Sequence, residues 1–412
     1  MCSASTRWSL AFVGGWLTAI CVLPAGLLAQ EWTRFRGPNG TGISTSRKIP
    51  VEWQEGDYNW KTELPGIGHS SPVVWGDKVF LTSSVEDTAE RIVLCVDAKS
   101  GKLLWQRRYS STVHTKHLRN SFASSTPAVD ADHVYVCWST PSEYTLLALD
   151  HKGRDAWRRD LGPFVSQHSC GTSPIVYQDM VVLGNDQDGA SFLTAVNCKD
   201  GEERWRADRR SAVVAYSTPC VFYPPGGRPE LIFNSEAHGI SAIDPQDGHT
   251  KWELSVFDKR SVSSPIVAGG LVYGTCGSGG GGTYIVAVKP GTPPQIAYKI
   301  TDAAPYVPTL LAKDELLYSW SDKGVVSCLK VATGEKIWRE RIGGNYSGSP
   351  VLIGDFLYCI AEDGTVVVLA ASEHYQLVAR NPLGEDSRST PAVSDDRMYL
   401  RTYSHLISIG GR

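Results

Sequence analysis

Ten side chains suited to binding or proton chemistry sit at one kind of place in this sequence, shortly before a Ser/Thr-Pro pair or its close equivalent. They are His69, His117, Arg119, Asn120, His168, Tyr216, Arg260, Tyr306, Tyr346 and Arg388, with His114, Gln167, Asn345 and Asp386 beside them. Imidazoles, phenols and guanidiniums drawn together from distant segments would make a polar, partly aromatic surface for an anionic or planar ligand. The plainer reading is a hydrated rim that holds only water.

Other motifs do not add up to a catalytic centre. Asn185-Asp186-Gln187-Asp188-Gly189 resembles half of a calcium loop but lacks the distal bidentate Glu, so a hairpin turn is expected there. Gly277-Ser278-Gly279-Gly280-Gly281-Gly282 has no Gly-Lys-Ser/Thr ending and reads as a connection, not as a phosphate loop. No Gly-x-Ser-x-Gly elbow occurs and no cysteine spacing suits zinc, so neither a catalytic residue nor a metal ligand is assigned.

The elements that must position the ten residues follow from self-similarity. The pairs are Ser71-Pro72, Thr126-Pro127, Ser173-Pro174, Thr218-Pro219, Ser264-Pro265, Val307-Pro308, Ser349-Pro350 and Thr390-Pro391, with prolines 55, 47, 45, 46, 43, 42 and 41 residues apart. Trp60, Trp105, Trp157, Trp205, Trp252 and Trp338 keep the same beat, Tyr298 standing at the position that lacks Trp. Each unit reads as four short strands: 71–75 and 78–83 flank a Gly76-Asp77 turn, and 91–97 and 102–108 flank a second turn. Four strands every 40 to 50 residues predict an all-β, eight-bladed β-propeller of four-stranded antiparallel blades. The loops entering the innermost strands then surround the central channel, which is where the ten residues fall.

The second turn carries small-x-Asp-x-x-x-Gly-x-x-x-Trp. It appears as Cys95, Asp97, Gly101, Trp105, as Ala195, Asn197, Gly201, Trp205, as Ala242, Asp244, Gly248, Trp252, and as Cys328, Lys330, Gly334, Trp338. Ala148, Asp150, Gly153 and Trp157 form a shorter version. Asp caps its own turn, Gly accepts a positive φ, and Trp offers a broad face to the next blade. These repeats resemble the tryptophan-docking repeats of the pyrroloquinoline quinone (PQQ)-type propellers, over roughly Trp53 to Ile409. That family includes periplasmic quinoprotein dehydrogenases and non-enzymatic outer-membrane assembly lipoproteins of the BamB type. The last unit has three strands and no Trp, so Asn59-Trp60-Lys61 is expected to close it. Trp32 to Gly42 resembles the start of exported PQQ-repeat proteins of planctomycete-type bacteria and is expected to cover one end of the ring.

Three divisions are expected: a signal peptide at 1–29, a loop segment at 30–52 and the propeller at 53–412. Arg7, the apolar stretch from Trp8 to Leu23 and Ala29 read as a secretory signal, with an uncleaved anchor as the competing reading. Ile20 argues against lipidation at Cys21. No later stretch is apolar enough to span a bilayer, and the expected location is periplasmic or extracellular. Of the eight later cysteines most sit in apolar strands as small hydrophobes, although an oxidising compartment would let some pair. With 40 Lys+Arg against 43 Asp+Glu, the chain lacks the basic excess of a nucleic-acid binder. The 13 Trp and 17 Tyr suggest a weaker, lectin-like reading, but repeat packing accounts for much of the Trp.

In the dehydrogenase branch the resemblance implies a catalytic carboxylate, PQQ with calcium, adjacent cysteines and long insertions. The adjacent pair and the insertions are missing here. The sequence therefore predicts an exported, non-enzymatic binding or scaffold propeller that takes an envelope protein partner or a small anionic or planar ligand at its rim or channel. The alternative is a PQQ-dependent oxidoreductase.

Overall fold

The computed structural model describes residue 1, residues 31–211 and residues 213–411. The expected signal segment, residues 2–29 in particular, lies outside them. Among the described residues, eight antiparallel sheets follow one another around a ring. Blade 1 is Val73–Trp75, Lys78–Ser84, Arg91–Asp97 and Leu103–Tyr109, and blades 2 to 7 begin at Ala128, Ile175, Cys220, Ile266, Leu311 and Val351. Blade 8 takes Ala392–Ser394, Arg397–Arg401 and His405–Gly410, and its outermost strand is Trp60–Glu63, paired antiparallel with Trp60 opposite Ser408 and Glu63 opposite His405. The N-terminal strand thus closes the ring.

Burial explains why these short runs hold. The second and third strands are covered on both faces by neighbouring blades: Arg91–Asp97 is buried along all but its last residue, whereas the outer strand Leu103–Tyr109 is mostly exposed. The apolar core lies between blades, as where Phe80 and Cys95 of blade 1 meet Val134 and Leu147 of blade 2.

The docking turn performs the work expected of it, and its glycine has a second reason to exist. Gly201 has φ +73°, and a Cβ there would stand 2.6 Å from the Trp157 ring of the preceding blade. Gly101, Gly153 and Gly248 repeat this against Trp60, Trp105 and Trp205, and Gly334 does so against Tyr298. The indole N–H of Trp105, Trp157 and Trp205 then donates to a turn carbonyl of the next blade, each at 2.9 Å. Trp252 departs from the pattern because blade 5 has no Asp-x-x-x-Gly turn to receive it. Its N–H donates instead to Glu230 Oε2 at 2.8 Å.

The repeat marker also has a mechanism that its sequence did not declare. The backbone N–H of each marker residue donates to the hydroxyl of the marker in the next blade: Ser71 to Thr126, Thr126 to Ser173, Ser173 to Thr218, Thr218 to Ser264, Ser264 to Thr309, Thr309 to Ser349, Ser349 to Thr390, and Thr390 back to Ser71. All eight bonds measure 2.9 to 3.4 Å. In blade 6 the marker is therefore Thr309, not Val307, because only a hydroxyl can accept the Ser264 N–H. In the other seven blades proline is tolerated at the next position because that position of the innermost strand needs no partner for its N–H.

Ser264→Ala should leave the buried Thr218 N–H without an acceptor and cost about 1–3 kcal/mol in urea unfolding, with Ser264→Thr close to neutral. A loss below about 0.5 kcal/mol would show that the circular chain of bonds carries little stability.

Candidate functional site

In an up-and-down blade, the connection into the first strand and the turn between the second and third strands lie at the same end. The other end holds the remaining turns. The ten sequence-predicted residues belong to the first kind of connection, and nine of them line one central cavity of about 1140 Å³: His69, His117, Arg119, Asn120, His168, Tyr216, Arg260, Tyr306 and Arg388. The eight marker residues line it as well.

Tyr346 is the exception. It is 1% exposed, packs edge-on against Trp320 at 5.3 Å and belongs to the apolar core between blades 6 and 7. Being near a marker did not suffice: from this connection it is the next residue, Ser347, that lines the cavity.

The far end of the channel is closed by the N-terminal segment, which is more than a connector. Trp32 and Val74 exchange both backbone hydrogen bonds, at 3.2 and 2.8 Å, and the Thr33 carbonyl accepts from Val129 N–H at 2.8 Å. The Asn39 side chain forms a two-way pair with the Val221 backbone, at 2.7 and 2.8 Å. The Gly42 carbonyl accepts from Leu352 N–H at 2.7 Å, and Ile43–Ser44 runs parallel to Val351–Ile353. Arg34 donates to the Pro219 carbonyl, and Arg36 donates to those of Leu310 and Pro350 at 2.9 and 3.1 Å. The segment thus caps inner strands of blades 1, 2, 4, 6 and 7, while Phe35 lines the cavity from below. Among the described residues neither arginine has a carboxylate partner, and burial pushes Arg34 down to about 10 and Arg36 to about 9.

The walls bias the cavity toward anions. Arg119, Lys259, Arg260, Lys323, Arg339 and Arg388 face Glu236, Asp258 and Asp322. Arg388 is bound to Glu362 at 2.7 Å and Arg339 to Asp302, which engages them at the wall. Among the described residues Arg119 and Arg260 form no salt bridge. Arg260 donates to the Val214 carbonyl at 3.2 Å and to His168 Nε2 at 2.8 Å. Since arginine can only donate, Nε2 is the unprotonated nitrogen of His168. Burial, then Arg260 and His117, lowers the pKa of that imidazole. His117 and His168 meet edge to face at 4.6 Å.

Asp322 accepts from the backbone N–H groups of Tyr306 and Val307, at 2.7 and 3.1 Å, and fixes the Tyr306 loop. Burial raises its pKa. His69 stacks against Tyr403 at 5.2 Å, and desolvation, followed by Arg388, Arg401 and Lys116, lowers it to about 3. Arg401 is fully buried and crosses the closure seam to Ser70, Thr82 and Ser83 of blade 1.

Sequence reasoning missed the second source of lining residues, the turns between second and third strands. Glu236, Asp322, Lys323 and Gly277 to Gly281 come from such turns. The strand order alone would have placed them at this end. Asn185 to Gly189 is also such a turn, as expected, and its Asp186 is spent on a buried pair with Arg209 at 3.2 Å. Among the described residues no three His, Cys, Asp or Glu side chains converge as a metal site would require. No described helix is long and apolar enough to cross a membrane.

His69 sets a pH dependence. Its folded pKa lies below the ordinary value, so the unfolded chain binds the proton first, and stability falls as pH drops from about 6.5 toward 3. His69→Gln should flatten that part of a pH series of urea unfolding curves. An unchanged slope would place the burial of His69 in doubt.

The family model described as outer membrane protein assembly factor BamB matches residues 51–217, 89–303 and 306–409. No curated protein sequence matches the chain. Among solved structures, BamB from Moraxella catarrhalis superposes with a TM-score of 0.62 at 17% identity, over 85% of this chain and 97% of that one. The quinohemoprotein alcohol dehydrogenase of Comamonas testosteroni gives 0.64 at 12% identity, over 93% and 80%. The computationally designed Ika8 protein gives 0.60 at 14%, over 86% and 100%. At these identities the superpositions show the fold alone. With the family model covering the propeller almost from end to end, the chain belongs to the BamB-like family of PQQ-repeat β-propellers.

Proposed function

We propose that the chain is an exported, non-enzymatic binding propeller of the cell envelope, whose cavity takes a carboxylate-bearing ligand, in the first place an acidic segment of a protein partner. The observation that carries this reading is a cavity open at one end, sealed at the other by the N-terminal segment, with Arg119 and Arg260 on its wall and no salt bridge to either among the described residues. A guanidinium with free donors is a strong carboxylate receptor in a partly desolvated site. The imidazoles of His69, His117 and His168 and the phenols of Tyr216 and Tyr306 add hydrogen-bonding and stacking surfaces. BamB-like family membership supports an envelope location and a protein partner.

PQQ, the cofactor of the dehydrogenase branch, is a planar tricarboxylate, and the charge of the wall suits it. Its calcium does not fit the residues present. Among the described residues no three His, Cys, Asp or Glu side chains converge, and of the wall carboxylates Asp322 already accepts from two backbone N–H groups and Asp258 from the Tyr284 hydroxyl at 2.8 Å, so Glu236 would be left to supply the oxygen shell by itself.

Calorimetric titration of the chain from Gln30 onward with a glutamate-rich peptide, and separately with PQQ with and without calcium, tests the proposal. The peptide should bind in a salt-sensitive manner, and Arg119→Ala should weaken it roughly tenfold, the loss of about one charged hydrogen bond. Saturable PQQ binding that appears only with calcium, without peptide binding, would overturn it in favour of the oxidoreductase reading.

A further inference from the structure

Eight cysteines lie among the described residues, and two of them stand apart from the rest. Cys137, in the second strand of blade 2, and Cys170, in the connection from blade 2 to blade 3, both approach one hydroxyl. Tyr144 Oη is 3.9 Å from Cys137 Sγ and 3.5 Å from Cys170 Sγ. Both thiols therefore converge on the same phenol from two different elements. Cys137 Sγ further touches Ser125 Oγ at 3.0 Å and donates to the Thr172 carbonyl at 3.4 Å, so it is held between two successive connections. The other described cysteines make different contacts: Cys359 donates to the Gly348 carbonyl at 3.5 Å, and Cys276 lies beside Asp258.

We propose that Cys137 and Cys170 form a disulfide that ties the His168 connection to blade 2 and so fixes one wall of the cavity mouth. The small-hydrophobe role holds for the others. For this pair, side chains from two elements bring both sulfurs to one hydroxyl, the proximity from which a bridge is made.

The connection matters because its backbone is already an anchor for the wall. Asn120 Nδ2 donates to the carbonyls of His168 and, at 3.4 Å, of Cys170, and His168 in turn receives the Arg260 donor. A bond at Cys170 would hold all three in register.

The oxidant is a small-molecule or protein disulfide. One cysteine thiolate attacks it and forms a mixed disulfide, releasing the first thiol. The second cysteine then displaces the remaining half, so two thiols here give up two protons and two electrons while one external disulfide becomes two thiols. The compartment that supplies such an oxidant rests on the export reading. The bond itself does not, since it is tested on the isolated chain.

The reduced full chain, kept native in a glutathione redox buffer for hours, is quenched with an alkylating reagent after unfolding and mapped as peptides. The expected result is a linked peptide containing Cys137 and Cys170, the other described cysteines alkylated, and a melting midpoint several degrees above that of the reduced chain. The same buffer should not shift the midpoint of Cys170→Ser. If that variant fails to fold, the peptide map of the unaltered chain decides alone. Alkylation of both cysteines in the oxidised sample, or a link from either to another cysteine, would overturn the proposal.

Discussion

Eight sheets arranged around an axis leave eight innermost strands without a lateral partner, and each carries backbone donors and acceptors that water cannot freely reach. The whole ring depends on how those edges are satisfied. At the level of the markers, serine and threonine hydroxyls pass the problem from blade to blade until Thr390 returns to Ser71. One level further along the strands, no repeat residue can reach, and the N-terminal segment supplies the partners with its backbone, the Asn39 amide and two guanidiniums. A buried arginine without a counter-charge is costly, and here carbonyl acceptors at the ends of three inner strands offset that cost.

This constraint also gives the ring its two unlike ends. The segment seals the end where first and second strands turn, so the connections that carry His, Arg and Tyr face a blind cavity instead of a through channel. Docking of an aromatic ring on Gly fixes five of the seams, while Trp338 donates to the Ser372 carbonyl of blade 7 and Trp252 turns to Glu230. Where Trp252 lacks a receiving turn, a shallow groove of about 510 Å³ opens between blades 4 and 5, beside Pro290 and Gly291. The cavity is therefore held by rigid walls, with its charge set by which connections end in arginine.

Much of this was legible in the residues. The period of the prolines and tryptophans announced eight blades, the missing Trp of the last unit announced closure by Trp60, and Tyr298 was found at the vacant docking position, where it covers Gly334. Nine of ten rim residues reached the cavity because the position of a connection in a blade is fixed by strand order. What escaped was whatever depends on contacts across the ring. Val307-Pro308 looked like a marker by its proline, yet the hydroxyl two residues on is what the neighbouring amide needs. Tyr346 turned inward for reasons of packing, and the N-terminal segment has no period at all to betray that Arg34 and Arg36 reach strands some 180 to 310 residues away.

The most direct test of this account is native-state hydrogen exchange at the amides of Val74, Val129, Val221 and Leu352, the inner-strand donors that bond to the N-terminal segment. If that segment is an integral plug, these amides exchange only with global unfolding, as slowly as those of the middle strands. Exchange at the rate of exposed loops, with the middle strands still protected, would show that the segment leaves the ring readily and that the cavity is not blind.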